Sequence, residues 1–213
     1  MRRRLLLLGT IAALLVTSSP SAIAQWRPGG HQRIVLLVDS STSVASMITS
    51  FRAGLREFLD ALPGEQEIVF ITTGGQFRNR VGPTTDREKL LTAINMFASD
   101  GGANSFLDTM VEADRRMLKS APERRPVFVI LTTDSGEMVG EINIEVYNRF
   151  AEDFLKRGGR AHALVVRGTR TGVTLRMAEN LAQNSGGFYD TAGLASAVPK
   201  LMKMLAEYVA ADQ

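Results

Sequence analysis

The sequence contains no cysteine. Disulfide bonds, thiol catalysis, thiolate metal sites and lipid attachment at a cysteine are therefore all excluded. Without covalent cross-links, the folded chain must be stabilised by its hydrophobic core. With 213 residues, the chain is long enough to bury such a core within one domain.

Sequence signatures of common enzymes are missing as well. There is no G-x-S-x-G nucleophile elbow and no Walker phosphate-binding loop. A phosphatase with an aspartyl nucleophile would carry a second acid two residues after Asp39, where Ser41 stands. A Ser-His-Asp hydrolase would need a histidine at its active site. The candidates, His31 and His162, do not follow a predicted strand end at the edge of the sheet where a ligand would bind. We therefore predict that the protein is not an enzyme, and a hydrolase is the least favoured alternative.

The body of the chain lacks an excess of positive charge. The sequence has 25 Lys and Arg against 22 Asp and Glu, but Arg2, Arg3 and Arg4 stand in the N-terminal segment, so 22 basic residues remain against 22 acidic ones. This balance gives no charge-based argument for binding nucleic acid or an anionic membrane. We expect no nucleic-acid partner. We interpret six arginines of the chain as solvated surface charges: Arg78, Arg80, Arg124, Arg125, Arg167 and Arg170.

The first 24 residues are typical of an export signal. A cationic start, Arg2–Arg4, precedes an apolar stretch, Leu5–Val16, and Ala22–Ala24 has the small-x-small form of a cleavage site. This arrangement predicts a signal peptide at residues 1–24 with cleavage near Ala24/Gln25. A short leader, residues 25–32, would follow. The expected location is secreted or periplasmic, in a bacterial cell envelope.

The apolar part of this segment is shorter than a membrane-spanning helix. Such a helix needs about 20 consecutive apolar residues. We therefore predict no membrane span in the mature chain. Retention of the segment as an uncleaved anchor is the alternative.

Continuous apolar runs alternate with amphipathic stretches along the rest of the chain. The runs at Ile34–Val38, Ile68–Thr72 and Val127–Leu131 are typical of strands buried on both faces of a parallel sheet. The more polar Gln76–Val81 predicts a short edge strand, antiparallel to its neighbour. The full order is β-α-β-β-α-α-β-α-β-α-β-α. It predicts one α/β domain, residues 33–213, with a doubly wound, mainly parallel sheet and helices on both faces.

Polar side chains follow two of the buried strands. Asp39, Ser41 and Ser43 come directly after the first strand, and Asp134 follows the central strand. Ligands bind to open α/β sheets at the carboxyl ends of the strands, where the strand order reverses, so we expect both acids in one crevice. A Gly-rich loop before the third helix brings Ser105 to the same edge. These five residues are the candidate site.

This set of side chains suits a hard metal ion. Two carboxylates without a nearby base need a positive charge between them, or one must be protonated. Divalent cations of this kind prefer carboxylate, hydroxyl and water oxygens. We predict a divalent-cation site, with Mg²⁺ as the first choice and Mn²⁺ or Ca²⁺ as alternatives. The simpler interpretation of the serines is a turn followed by an ordinary helix cap.

The predicted site also suggests a type of partner. Two carboxylates and neutral hydroxyls leave a divalent ion incompletely neutralised. The ion would then attract a further carboxylate from outside the chain. We therefore expect a protein partner that supplies a carboxylate to the metal.

Taken together, the motifs resemble the von Willebrand factor type A (vWA) domain. The resemblance rests on the D-x-S-x-S pattern that begins at Asp39, on the Gly101-Gly102 loop and on the Thr133-Asp134 strand end. It covers roughly Arg33 to Val209. The residues after the two glycines are similar to those of bacterial exported members of the family.

The resemblance implies a metal-ion-dependent adhesion site. In that site Ser41 and Ser43 would ligate the metal directly, and Asp39 and Asp134 would act directly or through water. The remaining family ligand is a threonine from the second loop. The implied activity is metal-assisted binding of a protein partner.

The second loop departs from the family pattern because it contains no threonine. Depending on register, the position falls to Ala103, Asn104 or Ser105. Ser105 would supply the same hydroxyl, whereas Ala103 would leave one ligand missing and lower the metal affinity. In addition, Ser135 follows Asp134, where the family more often has glycine. A metal-free scaffold with a degenerate site is therefore the alternative function.

Overall fold

Six strands form one sheet in the computed structural model, which describes residues 31–135, 143–168 and 172–211. The strands are β1 (Gln32–Val38), β2 (Glu67–Thr72), β3 (Arg78–Thr84), β4 (Arg125–Thr133), β5 (Arg160–Val166) and β6 (Tyr189–Ala192). Their order across the sheet is β3-β2-β1-β4-β5-β6. Neighbouring strands are parallel except β2 and β3, which are antiparallel. The predicted mainly parallel sheet with one antiparallel edge strand is confirmed.

Helices cover both faces of the sheet. They are α1 (Ile48–Ala61), α2 (Arg87–Met96), α3 (Phe106–Ala113), α4 (Ile144–Lys156), α5 (Val173–Asn184) and α6 (Val198–Ala211). A 3-10 turn, Thr42–Met47, precedes α1, and a π-helical turn, Asp114–Leu118, continues α3. The order of strands and helices along the chain is the predicted one.

The two cores follow from the alternation of side chains along each strand. In β1, Ile34, Leu36 and Val38 pack into the core under α1, α2 and α6. Val35 and Leu37 pack into the second core, under α3, α4 and α5. This explains why the run is apolar at every position, since both faces of the strand are buried.

The direction of strand addition reverses next to β1. From β1 the chain adds β2 and β3 on one side, and it then returns to place β4 on the other side. The register pairs Ile34 with Val127 and Val38 with Leu131. The ends of β1 and β4 are therefore neighbours, as the prediction of one shared crevice requires.

Within the described residues, no helix is long and apolar enough to cross a membrane. The predicted signal peptide, residues 1–24, and residues 25–30 of the predicted leader lie outside the described residues.

Helices α1 and α6 approach closely at Gly54. A Cβ atom added to this residue would lie 2.7 Å from Val198 Cγ1 and 3.1 Å from Met202 Cγ. Val198 and Met202 are both fully buried. A larger residue at position 54 therefore has to push the two helices apart.

Gly54→Ala is expected to lower the free energy of unfolding by about 1–3 kcal/mol, the usual effect of overpacking a core. Gly64→Ala is the matched control, because a Cβ there meets no atom within 4 Å. Urea unfolding of both variants measures the difference. Equal stability of the two variants would contradict the close packing of α1 on α6.

His162 is a buried core residue of β5. Its Nδ1 accepts a hydrogen bond from the backbone N–H of Phe188 at 3.1 Å, and its ring lies edge-on to Tyr208. Burial lowers the pKa of His162 to about 3, and the positive charges of Arg160 and Arg125 act in the same direction. The folded protein therefore holds this imidazole neutral.

Protonation of His162 is expected to destabilise the fold. Its folded pKa, about 3, lies below the ordinary value of 6.5, so its contribution to stability is complete above pH 6.5 and is lost as the pH falls toward 3. His162→Asn keeps an acceptor for the Phe188 N–H and cannot be protonated. Thermal unfolding between pH 7 and pH 4 should therefore show a smaller loss of stability in the variant than in the wild type. Parallel profiles would contradict this assignment.

Candidate metal site

The first loop of the site, residues 39–43, is fixed to the sheet at Asp39. The backbone N–H of Asp39 donates to Leu131 O of β4 at 2.9 Å, so the residue extends the pairing of β1 with β4 by one position. The 3-10 turn then begins after Ser41, and α1 follows. No side-chain cap is present at the start of the 3-10 turn or of α1. The interpretation of the serines as ordinary helix caps is therefore wrong.

The carboxylate of Asp39 is buried and its two oxygens differ. Oδ1 accepts a hydrogen bond from the backbone N–H of Ser41 at 2.8 Å. Oδ2 faces three donors: the Asn104 amide at 2.9 Å, the Thr132 hydroxyl at 3.3 Å and the Thr133 N–H at 3.4 Å. The Ser41 side chain also contacts this carboxylate, so the carboxylate and that hydroxyl lie close enough to ligate one ion.

Burial also makes Asp39 receptive to a positive charge. Burial raises the pKa of Asp39 above its ordinary value, although the hydrogen bonds from Ser41, Thr133 and Thr132 oppose the increase. A nearby cation would favour the ionised form and reverse this effect. The electrostatics of the first loop therefore suit a metal ion.

The hydroxyls of Ser41 and Ser43 lie together beside Asp39. Their oxygens are 2.7 Å apart and share a hydrogen bond. Ser41 is buried, and Ser43 is half-buried. Neighbouring ligands of an octahedral Mg²⁺ with 2.0–2.1 Å bonds are about 2.9 Å apart. The hydroxyl pair thus has nearly the spacing of one edge of such a coordination shell.

The second loop, residues 100–105, brings Asn104 rather than Ser105 into contact with Asp39. The Asn104 amide donates to Asp39 Oδ2 and to the Thr132 hydroxyl, and its Oδ1 accepts from the Thr73 hydroxyl at 2.7 Å. The Ser105 hydroxyl instead donates to Thr73 O at 2.6 Å. Ser105 stands at the N-cap position of α3 without a side-chain cap bond.

Three glycines allow this loop to pack against its neighbour. Gly75, Gly101 and Gly102 all have positive φ, near 70°, a conformation that other residues rarely adopt. A Cβ on Gly102 would lie 3.2 Å from Gly75 Cα. The Gly102 carbonyl accepts from the Thr42 N–H at 3.0 Å, which joins the second loop to the first.

Asp134 lies at the end of β4 and is held by the end of β5 and by the backbone that leads into α5. Its Oδ1 accepts a hydrogen bond from the backbone N–H of Gly172, directly before α5. Its own N–H donates to Val166 O at 3.0 Å. Asp134 is largely buried. It is thus at the predicted sheet edge, but its described partners belong to β5 and α5 rather than to the first loop.

Asp100 is a polar centre that the sequence analysis did not single out. Its Oδ2 accepts from the Ser40 hydroxyl at 2.7 Å and from the Thr72 hydroxyl at 3.2 Å, and it pairs with Arg80. Burial by itself raises the pKa of Asp100, but the hydrogen bonds from Arg80 and Ser40 outweigh it and the pKa is lowered.

Arg125 is buried, so its interpretation as a solvated charge is wrong. Arg170 lies outside the described residues. Arg80 is exposed, as predicted for a surface charge, but its guanidinium pairs with Asp100. The pairing could have been predicted from the sequence, because Arg78 and Arg80 alternate in a predicted edge strand and a loop with an acid follows later in the chain.

The donor set fits a divalent ion held mainly by the first loop. Asp39 Oδ1 and the hydroxyls of Ser41 and Ser43 provide three oxygens within one short turn. Asp134 provides a second carboxylate at the neighbouring strand end. Among residues 31–135, 143–168 and 172–211, no group of three or more His, Cys, Asp or Glu side chains could hold a metal ion, so the candidate site depends on hydroxyls as well as carboxylates.

The sequence of this region matches a known family. Residues 34–137, which contain all five candidate residues, match the family model of the von Willebrand factor type A domain. The chain contains a von Willebrand factor type A domain. A comparison with curated proteins found no match.

Solved structures share the fold of this vWA domain. A von Willebrand factor type A protein from Catenulispora acidiphila has a TM-score of 0.68 at 12% identity, over 84% of this chain and 42% of that one. The conserved hypothetical protein BatB from Bacteroides thetaiotaomicron has a TM-score of 0.61 at 14% identity, over 84% and 98%. Proximal thread matrix protein 1 from the mussel byssus, with a zinc-occupied MIDAS motif, has a TM-score of 0.65 at 13% identity, over 85% and 48%.

These similarities define the fold and not the ligand. At identities of 12–14% the match to each solved structure shows a shared architecture. This chain spans less than half of the Catenulispora and mussel chains. The zinc is a property of the mussel protein.

Asn104→Ala is expected to lower the free energy of unfolding by about 1–3 kcal/mol, since buried partners would lose their hydrogen bonds. Those partners are Asp39 Oδ2 and the hydroxyls of Thr73 and Thr132. Asn184→Ala, at an exposed position of α5, is the matched control and should change stability by less than about 0.5 kcal/mol. Urea unfolding compares the two. A similar small effect in both would show that Asn104 does not brace the site.

Proposed function

We propose that this vWA domain binds a divalent cation at the first loop and uses it to bind a carboxylate of a protein partner. The single observation that carries the proposal is the 2.7 Å pair of Ser41 and Ser43 hydroxyls beside the carboxylate of Asp39. Mg²⁺ is the first choice, and Mn²⁺ or Ca²⁺ are alternatives. The family's general role as an adhesion or interaction module supports a binding function over an enzymatic one.

The residues have distinct roles in this proposal. Ser41 and Ser43 would hold the ion directly, and the carboxylate of Asp39 would neutralise part of its charge. Asp134 acts from the neighbouring strand end, directly or through water. When bound, the ion supplies a positive charge that the chain neutralises incompletely, and this charge attracts an external carboxylate. Ser105, proposed from the sequence as a further ligand, would have to leave Thr73 O to take part.

We place the protein outside the cytoplasm, secreted or in the periplasm. This proposal rests on the sequence of residues 1–24, which has the three parts of a signal peptide. Cleavage near Ala24/Gln25 would leave a mature chain of the leader and the vWA domain. The absence of cysteine agrees with stabilisation by the core alone.

A metal-free scaffold is the second candidate function. It is favoured by the second loop, where Ala103 has no hydroxyl, the Asn104 amide is bonded to Asp39, and the Ser105 hydroxyl is bonded to Thr73 O. The described residues of this loop thus offer no free oxygen donor of the threonine type. Under this alternative, the buried hydrogen bonds of Asp39 serve only the fold.

Addition of Mg²⁺ or Mn²⁺ is expected to raise the melting temperature of the purified protein. The stabilisation should reach about 2.7 kcal/mol at a hundredfold excess over the dissociation constant. Ser43→Ala removes one ligand whose described bond is to Ser41 Oγ, so it should abolish most of the metal response with little change in the metal-free protein. Ser50→Ala, in the first turn of α1, should keep the full response.

Calorimetry with chelator, Mg²⁺, Mn²⁺ and Ca²⁺ decides between the candidates. No response of the wild type to any ion would favour the metal-free scaffold. A response that survives both Ser43→Ala and Asp39→Ala would place the ion elsewhere. A metal-independent hydrolytic activity that survives Asp39→Ala would contradict both binding functions.

A further inference from the structure

Two pairs of arginines each surround a single carboxylate near one edge of the sheet. Arg80 pairs with Asp100, and Arg78 Nε lies 3.6 Å from the same carboxylate. Arg115 and Arg116 lie in the π-helical turn that continues α3. Arg115 binds Glu112 through two hydrogen bonds of 2.8 and 2.7 Å, and Arg116 pairs with the same acid. Each group of three therefore carries one surplus positive charge.

The two groups are joined through Phe77. The guanidinium of Arg116 lies 5.1 Å from the centre of the Phe77 ring, a cation–π distance. Phe77 directly precedes Arg78 at the start of β3, the outermost strand of the sheet. We call Phe77, Arg78, Arg80, Arg115 and Arg116 the arginine patch.

The surplus charge of the arginine patch is persistent and accessible. The Arg115 hydrogen bond lowers the pKa of Glu112 to about 2, and the pKa of Asp100 is also lowered. Both acids are thus ionised at ordinary pH, and the patch and its two acids keep a net charge of two positive units. The side chains of Arg78, Arg115 and Arg116 are 43%, 64% and 52% exposed. This local excess contrasts with the balance of 22 basic and 22 acidic residues after the N-terminal arginines.

The arginine patch is connected to the candidate metal site. Asp100 Oδ2 accepts a hydrogen bond from Ser40, the residue between Asp39 and Ser41. The Asp100 N–H also donates to Ser40 O at 2.7 Å. One segment lying across this edge of the sheet can therefore face both the first loop and the arginines.

We propose that the arginine patch binds an acidic segment of the protein partner, next to the carboxylate that the metal receives. This rests on the proposed function for the position of that carboxylate. Arginine suits the role, because its planar fork matches a carboxylate through two hydrogen bonds. The surplus guanidinium of each group can accept one further carboxylate without displacing Asp100 or Glu112.

An acidic peptide fits the patch better than a nucleic acid. Single-stranded nucleic acids are bound through charged grooves with exposed aromatic rings on which bases stack. The Phe77 ring is half-buried and covered by Arg116. Two surplus charges flanked by two carboxylates match separate acidic side chains more closely than a continuous phosphate backbone.

Fluorescence anisotropy with a labelled peptide of eight glutamates, at low ionic strength, tests the proposal. The double variant Arg78→Gln/Arg116→Gln should weaken binding by about fivefold or more. The control Arg56→Gln/Lys203→Gln makes the same charge change on α1 and α6, at residues outside the arginine patch, and should bind like the wild type. Glu112→Gln adds to the surplus charge and should tighten binding.

The outcomes separate this inference from the proposed function. Equal weakening of peptide binding in both double variants would overturn it. It would also be overturned if the patch variant and Glu112→Gln both bound the peptide like the wild type. Binding of an eight-nucleotide oligothymidine as tightly as the peptide would also overturn it. A Mg²⁺-dependent rise in melting temperature with unchanged peptide binding in the patch variant refutes the patch alone. Loss of peptide binding in that variant, without any metal response, supports the patch and refutes the metal.

Discussion

The buried carboxylate of Asp39 is the interaction on which the organisation of the site depends. It binds the first loop through Ser41, the second loop through Asn104 and the end of β4 through Thr132 and Thr133. A buried charge of this kind is stable only when its hydrogen bonds are satisfied. The same bonds therefore fix the relative positions of three separate segments. The Ser41 side chain also bonds to this carboxylate, and the proximity of the carboxylate to the serine hydroxyls is the basis of the metal proposal.

The fold could be predicted from the sequence because its signals are local and repeated. Runs such as Ile34–Val38 are apolar at every position, which only a strand buried on both faces explains. The alternation of these runs with helical stripes then restricts the topology to a doubly wound sheet. The neighbouring positions of Asp39 and Asp134 followed from that topology without any knowledge of side-chain contacts.

The contacts within the site could not be predicted in the same way. Asn104 and Ser105 are adjacent, and their opposite directions are set by the backbone of a loop with two left-handed glycines. Sequence spacing alone left the choice between them open. The pairing of Arg80 with Asp100 joins residues from an edge strand and a loop, 20 positions apart. The local surplus of positive charge around Phe77 could not be predicted from the composition. The overall charge is balanced, and net charge does not report how charged side chains are distributed over the surface.

The position of Gly172 has a steric consequence. A Cβ at this residue would lie 2.6 Å from Asp134 Oδ1, so the backbone just before α5 lies directly against the Asp134 carboxylate. A side chain at position 172 would displace that carboxylate. Glycine at this point is therefore what lets the chain entering α5 approach the acid at the end of β4.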